Sequence, residues 1–480
     1  MIIGLGGNNG STFTAGLLAN RLNLTWRTRE GVQKASFIGS LTQSSTIRLG
    51  LNEGGSEVYV PFSSLLPMLP PSDVIIGGWD INKKTLSEAV ERASVLDYSL
   101  QQELLPHMLH SYPNKPLPSI YYPSFIAANQ ASRADNLICD GGGKKAEHLE
   151  TIRSQIRTFK TQNNLSKVIV LWSATTERFS EIREGLNDTA EALLKSIARN
   201  EDEISPSTMF AVASILEGCS YINGSPQNTF VPGVLELAEA AQPRVFLAGD
   251  DFKTGQTKLK SVLVDYLISA GIKPLSVVSY NHLGNSDGLN LSAPDQFRSK
   301  EISKASVIDD MVSSNGLLYN KGEKPDHTVV IKYVPAVGDS KRALDEYYSR
   351  IFLGGTNCLV LHNTCEDSLL AVPVMLDLIL CCELFQRIEV RRVSDTEASS
   401  GELNTVCSLL SYWLKAPQVP SGATVVNSLS RQRESLVNFV RLCAGLPLDS
   451  SVDIDLRLRA PIPSNLIKGS VLSSSICEKS

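Results

Sequence analysis

The 480-residue chain reads as an α/β protein: a doubly wound parallel sheet followed by a second region with strands and a helix of its own. Three observations predict this. Strand-like and helix-like segments alternate through residues 1–180. A glycine-rich loop, Gly4 to Ser11, lies between a strand end and a helix start. The composition, 42% hydrophobic and 20% charged, belongs to a packed chain of two or three domains, or to one large interleaved α/β body.

Taken in order, Met1-Ile2-Ile3 ends a strand, and Thr12 to Leu22 follows the glycine loop as a helix. Asp73 to Ile76 predicts a short strand running into Gly77-Gly78-Trp79-Asp80. Lys167 to Trp172 is rich in β-branched residues and predicts a buried strand, bounded by the polar run Ser173 to Arg178. A second region begins near Gly249. Its strands are Val277–Tyr280 and Thr328–Tyr333, its helix is Phe297–Ser313, and residues 321–326 form a turn. Glu366 to Phe385 predicts a long, mostly buried helix. Ser394 to Asn404 is a polar linker, and the last dozen residues form a frayed tail. No internal repeat or low-complexity block occurs.

Composition narrows the function classes. Forty-five basic against fifty acidic residues give a net charge of −5, so nothing points to a wholesale nucleic-acid binder. Nine cysteines, an odd number without a C-x-x-C pair, favour reduced thiols in the cytosol over disulfides or a zinc site. The first residues carry glycine and asparagine where a signal peptide has an apolar core. The most apolar stretch, Leu369 to Phe385, is interrupted by Asp377 and Glu383, so no membrane span is expected. The six histidines show no metal-ligand spacing, and neither a nucleophile elbow nor a phosphate-binding P-loop is present.

Three features could carry chemistry. The first is Gly4-Leu5-Gly6-Gly7-Asn8-Asn9-Gly10-Ser11. Glycines here let the backbone approach a pyrophosphate at a helix N-terminus, although Asn9 holds the position of the last glycine in a regular dinucleotide fingerprint. A plain glycine-rich turn reads equally well. Asp80, at a strand end, suits a ribose hydroxyl or an ordinary structural role. The second feature is lysine placement. Lys300 and Lys304 are i and i+4 and share a helical face with Val307, Ile308 and Met311. Like charges on an apolar stripe either snorkel to water or are held by an anionic partner. Lys341 and Lys415 follow a turn and an aromatic-rich segment, where surface lysines are also common. The third is a set of Asn/Asp/Gly-rich loops at 223–228, 249–255 and 281–288. They are turns by composition, and several together after strands suggest a ligand crevice at the carboxyl edge of a sheet.

Nine segments then match one family in order: GLGGNNGST from Gly4, LWSATTERF from Leu171, NGSPQNTFVPG from Asn223, GDDFKTGQTK from Gly249, SYNHLGNSDG from Ser279, QFRSKEISKASVIDD from Gln296, GDSKRALDEY from Gly338, HNTCEDSLL from His362 and YWLKAP from Tyr412. Over almost its whole length, to about residue 447, the chain closely resembles the eukaryotic myo-inositol-1-phosphate synthase (inositol-3-phosphate synthase) family. The resemblance implies a Rossmann-like NAD-binding domain over 1–256. It implies an inserted catalytic and tetramerisation domain of α+β type over 257–366. Residues 367–480 would complete the first domain, with a disordered tail from about 469. It implies an isomerase that converts D-glucose 6-phosphate to 1D-myo-inositol 3-phosphate with catalytic NAD, through oxidation at C5, an enolate, intramolecular aldol closure of C6 on C1, and reduction. That is the first step of de novo inositol biosynthesis and belongs to phospholipid and lipid metabolism. A cytoplasmic homotetramer is implied, with no nucleic acid, membrane or metal partner.

By the same resemblance, Lys300, Lys304, Lys341 and Lys415, with Asp251, are the catalytic set. Lys300 carries a proton at the C5 oxygen, Lys341 and Lys415 polarise carbonyl and enolate oxygens, and Lys304 helps hold the phosphate. NAD contacts fall on Gly6, Gly7, Asn8, Asn9, Asp80, Ser119, Ile120, Gln130, Arg133, Ser173, Ala174, Thr175, Thr176, Gly224, Ser225, Asp251, Thr254, Asn285, Ser286, Asp287, Gly338, Asp339, Asp367 and Ser368. Thr175 and Ser286 stand where the family commonly has asparagine, and both keep hydrogen-bonding capacity with a shorter reach. The family usually carries several tens of residues before the glycine loop. This chain begins inside the first strand, which predicts a less stable central strand. The alternatives are an NAD-dependent dehydrogenase with net hydride transfer, and an inactive or regulatory short isoform that binds NAD; the intact lysine set counts against the latter.

Overall fold

The computed structural model describes residues 1–52, 56–110, 114–390 and 401–450. Its central sheet has six parallel strands: β1 (Ile2–Ile3), β2 (Gly78–Asp80), β3 (Leu117–Pro118), β4 (Ile169–Trp172), β5 (Ser220–Asn223) and β6 (Leu247–Ala248). Their spatial order is β3-β2-β1-β4-β5-β6. This is the doubly wound arrangement, and its direction reverses between β1 and β4, where a crevice opens beyond the carboxyl ends. Neighbouring residues point to opposite faces. Ile2 and Leu171 join the core cluster under α1 (Asn8–Arg21), while Ile3, Val170 and Trp172 join the cluster on the other side.

Helix α1 starts four residues earlier than the sequence predicts. Gly10 is the reason: a Cβ there would lie 2.5 Å from the carbonyl oxygens of Gly4 and Leu5, so only glycine lets the first turn sit on the loop. The expected strand at Asp73–Ile76 is instead a 3₁₀ turn (Pro71–Asp73) and irregular chain. The ladder to β1 begins at Ile2 with Gly78, so among the described residues Val74–Ile76 have no strand beside them to pair with. The sequence reading also missed two antiparallel hairpins, Thr25–Thr28 with Gly31–Lys34 and Thr46–Leu51 with Glu57–Pro61.

The second sheet contains β7 (Lys273–Leu283), β8 (Asp326–Tyr333), β9 (Ser340–Arg350) and β10 (Thr356–Glu366), ordered β8-β7-β9-β10. β7 and β8 are parallel; the other pairs are antiparallel. Helices α2 (Gly255–Ser269) and α3 (Pro294–Val312) supply Val264, Leu267, Ile268, Val307, Ile308 and Met311 to a core shared with Val277 and Tyr347. The other face leaves Tyr280, Leu344, Tyr348 and Val360 exposed.

Helix α4 (Asp367–Phe385) follows β10 and packs against α1. It is apolar and long enough to cross a membrane by length and composition, yet Met375, Leu376, Leu378, Leu380 and Phe385 are buried in the core. After it, Gly401–Glu402 pairs with Glu389–Val390, and α5 (Leu429–Cys443) is the last helix among the described residues. Residues 394–400 of the expected linker, and the tail from about 469, lie outside the described residues.

Candidate active site

The crevice begins at the glycine loop. Gly4 has φ +85°, and a Cβ there would meet the Ala174 backbone at 2.7 Å, so glycine is required where the loop crosses β4. No side chain caps α1 and its first turn holds no acid, which leaves backbone N–H groups facing the crevice. Asp80 ends β2 and accepts from Gly6 N–H and from Asn82 N–H, each at 2.9 Å. Burial pushes its carboxyl up, against those hydrogen bonds and the charges of Arg133 and Arg92. Asp80 therefore shapes the loop and also lines the cavity.

The cavity lining runs from Gly7, Asn8, Asn9 and Asp80, past Ser119, Ile120 and Arg133, to Ser173, Ala174, Thr175 and Thr176. It continues through Gly224, Ser225 and Thr254 to Asn285, Ser286 and Asp287. It closes on Asp251, Lys300, Lys341, Asp367 and Lys415. Three loops separated in sequence thus meet at one carboxyl edge. Thr176 N–H donates to Asp287 Oδ1 at 2.9 Å and Ser225 Oγ to the Ala174 carbonyl at 3.0 Å, which fastens them together.

The remaining expected residues stand just behind this lining. Gly6 donates to Asp80, and Gln130 accepts from Arg133 at 2.8 Å. Asp339, after Gly338, accepts from Ser368 N–H and Oγ, both at 2.8 Å, and from Asn8 Nδ2 at 3.3 Å. That last bond ties α1 to the second sheet. Lys304 is buried one turn beyond Lys300, and its Nζ donates to Gln256 Oε1 at 3.4 Å.

Asp251 is the hub of the charged end. Its Oδ1 lies 3.0 Å from Lys300 Nζ and 3.1 Å from Lys415 Nζ, and its Oδ2 accepts from Ser303 Oγ at 2.9 Å. Burial would raise its pKa, but Lys300 and Lys415 outweigh burial and hold it well below the usual carboxylate range. Its backbone is left-handed, at φ +61°, a strained state for a non-glycine residue. The strain is held by the 413–418 segment running antiparallel beside it. Lys415 N–H donates to the Asp251 carbonyl at 2.8 Å, Lys253 N–H to the Trp413 carbonyl at 2.8 Å, and Asp250 N–H to the Ala416 carbonyl at 2.7 Å. The same pairing delivers Lys415 to the site. Lys341, on β9, reaches Asp367 Oδ1 at 3.4 Å.

Electrostatics separate these amines. Lys300 is desolvated, but Asp251, Asp287 and Asp367 outweigh this and raise its pKa, so it stays an ammonium. Lys415 is brought down to about 7 by burial, with Lys300 and Lys341 adding to the effect and Asp251 opposing it. Lys304 is pushed well below its ordinary range by burial and then by Lys341, Lys260, Lys415 and Lys300. Sequence reasoning missed Ser303, Gln256 and Lys260. Ser303 was within reach, since it shares the helical face of Lys300 at i+3. It also missed Glu177, whose carbonyl accepts from Ser299 Oγ at 2.8 Å and so braces α3.

The donor set fits a dinucleotide: an uncapped helix start for the pyrophosphate, an acidic strand end, and a polar trough leading away from them. The fold and site therefore define an NAD-dependent α/β enzyme with a lysine-lined reaction chamber. A family model described as myo-inositol-1-phosphate synthase matches residues 1–441. The chain is 59% identical over 475 residues to inositol-3-phosphate synthase 1 of Mus musculus, covering 99% of this chain and 83% of that protein. It is 60% identical over 464 residues to the Homo sapiens protein of the same name, covering 97% and 81%. The crystal structure of inositol-3-phosphate synthase from Caenorhabditis elegans superposes with a TM-score of 0.91 at 52% identity, covering 96% of this chain and 89% of that one. The chain belongs to the myo-inositol-1-phosphate synthase family.

Proposed function

We propose that the chain is an inositol-3-phosphate synthase, an isomerase converting D-glucose 6-phosphate to 1D-myo-inositol 3-phosphate. The observation that carries this is the convergence of Lys300, Lys415 and Lys341 on Asp251 and Asp367 at the closed end of a dinucleotide crevice. NAD, held by the glycine loop, Asp80 and the 173–176 and 224–225 loops, supplies reversible hydride acceptance at the substrate C5.

The chain's own residues do the rest. The Lys300–Asp251–Lys415 group manages the proton at the C5 oxygen. Lys300 keeps a fixed positive charge there, and Lys415, with its pKa brought down to about 7, has a lone pair available near neutral pH. Lys341 and Lys300 stabilise the enolate and the developing alkoxide in a chamber that excludes water, where fixed charge acts strongly. Lys304, Gln256 and the N-terminus of α2 hold the phosphate. Thr254 makes no side-chain cap and the first turn of α2 holds no acid, as an anion site requires.

The same reading makes this the first step of de novo inositol formation, and so of phospholipid supply, in the cytoplasm. All eight described cysteines are unpaired, in keeping with a reducing compartment. It makes the protein a homotetramer joined through the second sheet, whose apolar outer face supports that role, and calls for neither membrane nor nucleic acid. The deciding experiment is NMR of the products after incubation with D-glucose 6-phosphate and NAD. Inositol phosphate without net NADH is expected. NADH accumulating with an oxidised sugar phosphate would make the protein a dehydrogenase, and NAD binding with no product would make it an inactive binder.

A further inference from the structure

Behind Lys304 the site holds one more buried lysine. Lys260 lies one turn along α2 from Gln256, so both side chains face the same way. Its Nζ donates to Ser279 Oγ on β7 at 2.6 Å and lies 3.1 Å from His327 Nε2 on β8. Lys260 is 1% exposed and Lys304 2% exposed. Among the described residues, neither has a carboxylate at ion-pairing distance.

The charged groups around this compartment are ion-paired or carry the same sign, except Asp345, whose charge acts on Lys260 from beyond ion-pairing distance. Lys300 on α3 and Lys415 beside it share Asp251, and Lys341 on β9 has Asp367. Asp345 on β9 accepts from Gln256 Nε2 and from Tyr347 OH. His327 is driven down to about 3 by burial and by Lys260, Lys304 and Lys324, so it stays neutral and accepts at Nε2. Its Nδ1 is buried without a partner. Keeping both amines as buried ammonium groups is costly; burial brings Lys260 down to about 8 with Asp345 opposing, while Lys304 has no carboxylate beside it among the described residues and is the group that favours release of its proton. Lys304 has only the amide oxygen of Gln256, at 3.4 Å.

We propose that the substrate's phosphate enters this compartment together with a proton taken up at Lys304 Nζ, and that Lys260 is the positioning residue that makes the coupling necessary. The dianionic phosphate is the missing counter-charge; once it is present, Lys304 becomes an ammonium. The inference rests on the synthase reading for the identity of the anion, not on turnover.

The test is calorimetric titration of the NAD-loaded protein with D-glucitol 6-phosphate, an open-chain phosphate with no aldehyde to close on. It is run at about pH 8 in two buffers of different ionisation enthalpy. A phosphate monoester with a second pKa of about 6 is already a dianion there, so the counted protons belong to the protein. The unsubstituted protein is expected to take up roughly half a proton or more per site. Lys260→Met should lower the uptake at least threefold, and Lys260→Arg should restore it. Absence of buffer-dependent uptake in the unsubstituted protein overturns the proposal without any variant, and so does equal uptake in a folded Lys260→Met protein. Uptake without inositol phosphate in the product assay would remove the synthase reading and leave the coupling standing.

Discussion

At the residue scale, chemistry and stability meet at Asp251 and its neighbour. Lys300→Ala leaves Asp251 with Lys415 and Ser303, so the fold should survive while turnover falls by about two orders of magnitude or more. Steady-state rates beside a circular-dichroism melt check both halves. Asp250 has the opposite electrostatic character. Burial lifts it to about 7, against hydrogen bonds from Asn223 and Gln418. The native state then binds a proton that the unfolded chain releases near pH 4, so this group's contribution to stability falls as pH rises from about 4 to 7. Asp250→Asn should flatten that fall, as read from urea midpoints at pH 5 and 7; an unchanged slope would show that another group titrates. Lys300 and Lys304 were legible as an anomaly on an apolar helical face. Their grouping with Lys415 was not, because a carboxylate 164 positions away in sequence makes that contact. It entered the sequence reading through family resemblance alone.

At the element scale, a helix can be held by one buried acid. Asp377, in the middle of α4, accepts from Ser40 Oγ at 2.6 Å, Leu41 N–H at 2.7 Å, Thr42 N–H at 3.0 Å and Trp413 Nε1 at 3.1 Å. It joins the short helix Leu41–Ser44 to α4 and to the turn that precedes Lys415. Asp377→Ala would strand those donors in the core. The expected cost is about 3 kcal/mol, measured by denaturant unfolding, with the donors as the cause. A loss below 1 kcal/mol would mean that water replaces the carboxylate. In the sequence this residue argued only against a membrane span; Ser40, Leu41 and Thr42 lie more than 300 positions upstream and Trp413 36 positions downstream, so its partners left no local mark. The strand at Asp73–Ile76 went astray for a related reason. Valine and isoleucine favour a strand, but a strand needs a neighbour, and β1 offers one only from Gly78.

At the scale of the whole molecule, the two sheets meet at the crevice, the first bringing the glycine loop and Asp80 and the other, with α2 and α3, bringing Lys300, Lys304 and Lys341. The outer face of the second sheet bears Tyr348 at 38% and Val360 at 62% exposure. Sedimentation velocity should show a tetramer, and the double substitution Tyr348→Asp with Val360→Asp should shift it to smaller species; a monomer in the unsubstituted protein would refute assembly through this face. The sequence by itself determined the class, the parallel sheet and the glycine loop, because periodicity and turn chemistry are local. It also determined the family, because long ordered matches need no coordinates. The tertiary structure alone decided which lysines are charged and which carboxylate serves two of them. It also decided that Lys260 stands behind Lys304, neither of them ion-paired to a carboxylate among the described residues. Burial and charge pairing are properties of distance in space, and residues from the loop after β6, α2, α3, β9 and the 413–418 segment become neighbours only when the two sheets are docked.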